Sequence, residues 1–234
     1  GTDKENVAKY WYYDSSQSSL YLTQDEGNSK LFLESTKNEK GKLTTDIKSE
    51  NRNYKNDGKG THGFFPFNKS VGSGGASQYN YGFGAKLQFD FTLTDDGMVQ
   101  VGDKPEDKVP IKFFFSGDDD VWVYIDGRLV LDVGGAHGKA SGLLEFGKTA
   151  DGSANIVTPY VSSNKTGGAT YTDEAKDKYV YFNGEKVTFK KKGKISGEDN
   201  NPFTLAKGTT HTLTMFYMER GMWESNMAVA FNFP

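Results

Sequence analysis

The sequence predicts an all-β protein, a β-sandwich or barrel with long loops, and three observations carry that expectation. In KLQFDFTL, Leu87, Phe89, Phe91 and Leu93 recur at every second position with Lys86, Gln88, Asp90 and Thr92 between them, the period of a half-buried strand. Short apolar runs at Lys112 to Phe115, Val121 to Ile125 and Leu129 to Val133 follow closely, and Asp126-Gly127 between the last two reads as a hairpin turn. The 28 glycines against 6 prolines suit many tight turns and close backbone approaches better than stiff linkers.

The other elements follow from the same rules. From Val7 to Leu33 apolar and polar residues alternate loosely, which suggests two or three early strands. Glu34 to Gly60 is polar and reads as a long loop or edge hairpin. A short helix is expected at Thr172 to Lys178, where Thr172 or Asp173 can cap. His211 to Met218 and Met227 to Phe233 form a final strand pair joined by Glu219 to Asn226, the second strand alternating Met227, Val229, Phe231 and Phe233 against Ala228, Ala230 and Asn232. Antiparallel strands without alternating helices point to a sandwich or barrel.

The 234 residues fit one all-β domain spanning 1–234. Only 35% of residues are hydrophobic, but 17 Phe and 13 Tyr supply a core of few, large side chains. A net charge of −3 and an isoelectric point near 5.7 offer no attraction for nucleic acid or an anionic membrane, and no apolar run is long enough for membrane insertion. With no cysteine there are no disulfides, no thiolate chemistry and no Cys-based zinc site. Neither signal peptide nor anchor is evident, and the chain reads as a module of a larger protein with Gly1-Thr2 as a cloning remnant.

Asp118, Asp119 and Asp120 stand in a row between two apolar runs. Exposed, they form a solvated turn; brought together, they repel one another and call for a hard cation such as Ca2+, which takes oxygen ligands in flexible geometry. Trp223 either packs or presents its indole face to a sugar ring. Trp122 and Tyr124, opposite Val121, Val123 and Ile125, form either a second core layer, as a sandwich favours, or an exposed platform. His137, among the glycines of GGAHG, either reaches a ligand or satisfies local backbone, while His62 and His211 lack a second His or Cys at zinc spacing.

The run FSGDDDVWVYIDGRLVLDVGGAHG resembles the fibro-slime pattern, and DDDVWVYIDGRLVLD within it resembles the strand–turn–strand core of PA14 domains. GFFPF, NYGFGAKLQFDFTL and YMERGMWESNM are similar to fibro-slime sequence, so the resemblance covers about residues 63–234, with residues 1–62 contributing little. It implies a PA14-like sandwich or barrel with a calcium site on Asp118 and Asp119, the two joined by a cis peptide bond. It further implies that Glu219 stands where related lectins use asparagine, with the carbonyls of Gly221 and Trp223 completing the shell. Asn226 is the competing ligand from the same loop and also a sugar contact.

The expected function is therefore a calcium-dependent carbohydrate-binding module, a lectin or adhesin of a secreted or cell-surface protein, with a glycan or polysaccharide as partner. The alternatives are a structural or protein-binding adhesin segment with a purely structural calcium, and a glycoside-active enzyme. Asp118 to Asp120 are too close together to act as opposed acid and base, and no serine stands in a nucleophile-elbow pattern, so an enzyme is not expected.

Overall fold

The computed structural model describes residues 10–14, 23–25, 55–56, 61–62, 81–100, 104–135, 137–165, 171–182, 185–192, 202–220 and 225–234. In chain order the strands are β1 (Tyr10–Asp14), β2 (Thr23–Asp25), β3 (Lys55–Asn56), β4 (Thr61–His62), β5 (Phe83–Thr92), β6 (Met98–Gln100), β7 (Lys108–Pro110), β8 (Lys112–Gly117) and β9 (Asp120–Ile125). They continue with β10 (Arg128–Asp132), β11 (Ala140–Lys148), β12 (Asn155–Ser162), β13 (Tyr171–Phe182), β14 (Glu185–Lys192), β15 (Phe203–Leu205), β16 (Thr210–Glu219) and β17 (Met227–Phe231). Among the described residues there is no helix.

Two sheets dominate. The larger runs β13-β14-β12-β11-β8-β17-β1-β2 with β15 beside β12, and the smaller runs β10-β9-β16-β5; neither closes into a barrel. Their facing sides share one core, with Phe113, Phe115, Leu144, Phe146, Val229 and Phe231 from the larger sheet meeting Phe91, Val121, Val123, Ile125, Leu213 and Met215 from the smaller. Phe89 stacks on Phe231 at 4.5 Å, and Phe91 lies 4.3 Å from Phe233 and edge-on to Phe146 at 5.8 Å. These rings realise the period-two patterns of β5 and β17: burial on β5 alternates along the strand, with Phe91 inside and Asp90 and Thr92 outside.

The triplet Phe113-Phe114-Phe115 breaks alternation because β8 is buried on both faces. Phe114 points away from the main core, into a second cluster with Leu143, Tyr160, Val180, Phe182 and Phe189. The β13–β14 hairpin supplies three of those side chains and covers the outer face of the larger sheet, its Phe182 ring 5.3 Å from Phe114.

The helix expected at Thr172 to Lys178 is not formed; the segment belongs to β13. Pairing with β14 shifts between Ala175 and Tyr179, so Lys176, Asp177 and Lys178 bulge out of the ladder. Lys178 reaches down to Glu145, whose other oxygen lies 3.3 Å from the buried Lys112 ammonium. Sheet pairing on either side of this buried ion group overrides the local helical preference.

At the β9–β10 turn Arg128 pairs with Ile125 across Asp126 and Gly127, with φ of 50° and 79°. This is the left-handed pair that a two-residue hairpin requires. Trp122 and Tyr124 are half-buried on the outer face of the smaller sheet rather than forming a second core layer. Beside them Leu129, Phe216 and Met218 are exposed, and Phe216 meets Tyr124 edge-on at 5.8 Å.

Candidate functional site

The strand order brings the two sequence-predicted halves of the site together. β8 ends at Gly117 in the larger sheet and β9 begins at Asp120 in the smaller, so Asp118 and Asp119 form the step from one layer to the other. β16 and β17 make the reverse step, from Glu219 to Met227. Gly117 pairs with Met227 in one sheet and Asp120 with Met218 in the other. Both crossings therefore lie side by side at one end of the sandwich.

Hydrogen bonds lace them. The Asn226 backbone N–H donates to Asp118 Oδ1 at 2.7 Å, with its side-chain amide 3.4 Å from the other oxygen. The Arg220 backbone N–H donates to Asp119 Oδ1 at 3.1 Å. Asp120 accepts the Gly135 N–H at 2.7 Å and a two-pronged approach from Arg220, at 2.8 Å from Nη2 and 2.6 Å from Nε. Lys165 adds positive charge near Asp120 and Asp132, although burial, the larger influence, pushes its ammonium below the ordinary value.

The three aspartates are thus differently compensated. Asp120 is matched by cationic side chains. Asp119 is buried and hydrogen-bonded to the buried Glu219, and burial together with that carboxyl raises it to about 7. The Tyr217 hydroxyl donates to Glu219 Oε2 at 2.9 Å and lies 3.3 Å from Ser225 Oγ; burial, and then the charge of Glu219, hold it well above the ordinary tyrosine range.

The resemblance implied a cis Asp118–Asp119 bond, but every peptide among the described residues is trans. In this geometry Asp118 is held by Asn226 and Asp119 by Glu219. Asn226 donates to Asp118 in this arrangement. Gly221 and Trp223 lie outside the described residues. Among the described residues no three His, Asp or Glu side chains are gathered as a ready cage for a metal ion. The donor chemistry nevertheless fits a hard cation: Asp119 and Glu219 place two carboxyls in one buried corner, and Asp118 stands beside Asp119.

His137 is engaged inside its own loop, with Nδ1 2.6 Å from the Gly138 carbonyl and Nε2 2.5 Å from that of Val133. A second polar constellation escaped the sequence reading, in which His211 stood alone. His211 Nδ1 lies 2.6 Å from Asp126 Oδ2 and Nε2 lies 2.5 Å from Thr209 Oγ1. This Asp–His–Thr order resembles a hydrolytic triad in its distances. The Thr209 hydroxyl, however, donates to the Ala206 carbonyl at 2.7 Å, so its single proton is not committed to the ring and the hydroxyl is not prepared as a nucleophile. The arrangement clamps the β9–β10 turn to β16. The available signal was Asp126 itself, an acidic residue at a tight turn.

The sequence is 40% identical to protein psiO of Dictyostelium discoideum over 95 residues, 41% of this chain. It is 38% identical over 69 residues to protein psiP and 62% identical over 29 residues to protein psiQ of the same organism, covering 30% and 12% of this chain. The matched regions span 10%, 7% and 3% of these relatives, so the chain covers a tenth or less of their length. No family model and no solved structure matches the chain.

Proposed function

We propose that this chain is a calcium-dependent carbohydrate-binding module of a secreted or cell-surface protein, of the kind implied by its resemblance to PA14 and fibro-slime domains. The observation that carries the reading is the buried contact between Asp119 and Glu219, supplied by adjacent inter-sheet crossings. Two buried carboxyls in one corner need a shared proton or a cation. The neighbouring cationic side chain, Arg220, is turned to Asp120. Asp118, Asp119 and Glu219 would hold the ion, with the carbonyls of Gly221 and Trp223 completing the shell. Bound calcium would supply open coordination positions for vicinal hydroxyls of a sugar.

The chain's own residues prepare that end. Asn226 orients Asp118, the Arg220 N–H orients Asp119, and Tyr217 holds Glu219. Trp223 and Asn226, on the same crossing, are proposed to contact the sugar. The much greater length of the relatives supports a module that works as one part of a larger protein. This reading assigns binding rather than catalysis.

A glycan array run with calcium and with chelator tests it. Binding is expected to disappear in chelator and in Asp119→Ala, and to weaken without vanishing in Trp223→Ala. Full binding by demonstrably metal-free protein overturns the calcium role. A calcium-dependent rise in melting temperature with no glycan bound across a broad array replaces the lectin reading by that of a structural adhesin segment.

A further inference from the structure

The outer face of the larger sheet carries a cavity of about 240 Å3 where it meets the β13–β14 hairpin, lined chiefly by Ser116, Lys139, Ser141, Asn164, Phe182 and Lys186. Its origin is a change of side-chain size along two paired strands. Phe114 faces Leu143 across β8 and β11, and both pack under the hairpin. One same-face step further on, Ser116 faces Ser141. Two small polar residues there leave open space beside Phe182.

The hydroxyls at the base are held in fixed roles. Ser141 Oγ donates to Ser116 Oγ at 2.9 Å, while the Ser141 backbone N–H donates to Ser162 Oγ at 2.8 Å. Ser116 is 2% exposed and acts as acceptor in that bond, which leaves its own proton to be donated elsewhere. Asn164 Nδ2 donates to the Lys139 carbonyl at 3.0 Å, fixing the amide so that its carbonyl oxygen serves as an acceptor.

Lys139 and Lys186 both line the cavity, and among the described side chains no carboxylate does. The Lys139 ammonium lies 5.4 Å from the Phe182 ring and that of Lys186 lies 4.2 Å from the Tyr179 ring.

We propose that this cavity is a second, calcium-independent binding site for a single anionic sugar unit, its negative group a carboxylate or a sulfate. The anionic group lies between Lys139 and Lys186. Ring hydroxyls meet Ser116, Asn164 and Thr188, and Phe182 forms the apolar wall. The volume is below the roughly 300–1,000 Å3 of pockets for drug-sized ligands, which suits one sugar ring. The site is separate from the acidic corner and does not rest on the calcium reading.

The test is a titration of the full chain, in chelator and at low salt, with glucuronate, glucose 6-sulfate, glucose, acetate and inorganic sulfate, followed by calorimetry or NMR shifts. One of the two anionic sugars is expected to bind at least roughly tenfold tighter than glucose and to weaken as salt rises. The preferred sugar identifies the anionic group. Lys139→Gln with Lys186→Gln should lose that binding, Ser116→Ala should weaken it several-fold, and Asp119→Ala and the remote Lys207→Gln should retain it. No binding of either anionic sugar, or binding unchanged in the double lysine variant, overturns the proposal. Acetate or sulfate alone binding as tightly as the sugars overturns the sugar assignment.

Discussion

The carboxyl of Asp119, at the crossing from the larger sheet to the smaller, hydrogen-bonds to that of Glu219, at the end of β16, and both side chains are buried. Burial, and then the neighbouring Glu219 carboxyl, raise Asp119 from 3.8 to about 7. The folded state therefore favours the protonated acid. Its contribution to stability is complete below the ordinary carboxylate range and is lost as pH rises through about 7. In chelator, melting temperature should fall across that interval, and calcium should reverse the fall at the alkaline end. Asp119→Asn should flatten the slope and remove the calcium response. A flat profile for the metal-free wild type would show that the pair does not govern stability.

Gly117 is the last residue before the acidic corner, and a Cβ there would lie 2.6 Å from the Asn226 carbonyl oxygen and 2.6 Å from the Phe115 ring. Gly117→Ala should push the two crossings apart, costing about 1–3 kcal/mol in urea denaturation and weakening calcium binding measured by calorimetry. Gly138→Ala meets nothing within 4 Å and serves as the control, with an expected change within about 0.5 kcal/mol.

Glu145 is the anion between Lys112 and Lys178, and the Lys112 side chain is 4% exposed. Glu145→Gln should remove the carboxylate beside that buried ammonium and destabilise the fold in chemical denaturation, by up to about 3–5 kcal/mol. Lys178→Met keeps the Lys112 pair and should cost much less. Equal losses in the two variants would contradict this division.

Asp126 takes the Thr212 N–H at 2.9 Å as well as His211 Nδ1, from a left-handed turn position. Although partial burial works the other way, these bonds hold its carboxyl below the ordinary value. Its contribution is present above the ordinary carboxylate range and is lost as pH falls through the lowered value. Asp126→Ala should cost about 1–3 kcal/mol, and Asp126→Asn, which keeps the turn, should cost less. Urea midpoints at neutral and acid pH measure both.

The alternation of β5 and β17, the apolar runs of β8, β9 and β10 and the strand β16 were legible in the sequence and lie within a few residues of their expected bounds. One face of each packs on the other sheet. β11, β12, β13 and β14 were not recognised. The larger sheet is covered on both sides there, which hides alternation in the apolar run Leu143-Leu144, and β13 carries a charged bulge that reads as helix. The Asn183-Gly184 pair between YVYF and KVTF was the available hairpin signal, since it favours the left-handed turn such a connection needs. Charge repulsion singled out the row Asp118 to Asp120, and the choice of Asp118 and Asp119 within it rested on the resemblance. That Asp120 differs from them depends on Arg220, whose position follows from the pairing of β9 with β16 and not from neighbouring sequence.

β17 runs between β8 and β1, and β16 runs between β9 and β5, so the two C-terminal strands form a seam down the interior of both sheets. Each layer would be two separate fragments without its seam strand. Contacts such as Asp118 with Asn226 join residues 108 positions apart, and such long loop closures are slow to find. Assembly should therefore behave as a zipper that closes late and all at once, with few stable partial forms. The acidic corner lies where the seam passes from one layer to the other. An ion seated there would act as a latch on the zipper, slowing its opening more than it speeds its closing, and giving a module under mechanical load a lifetime set by metal release.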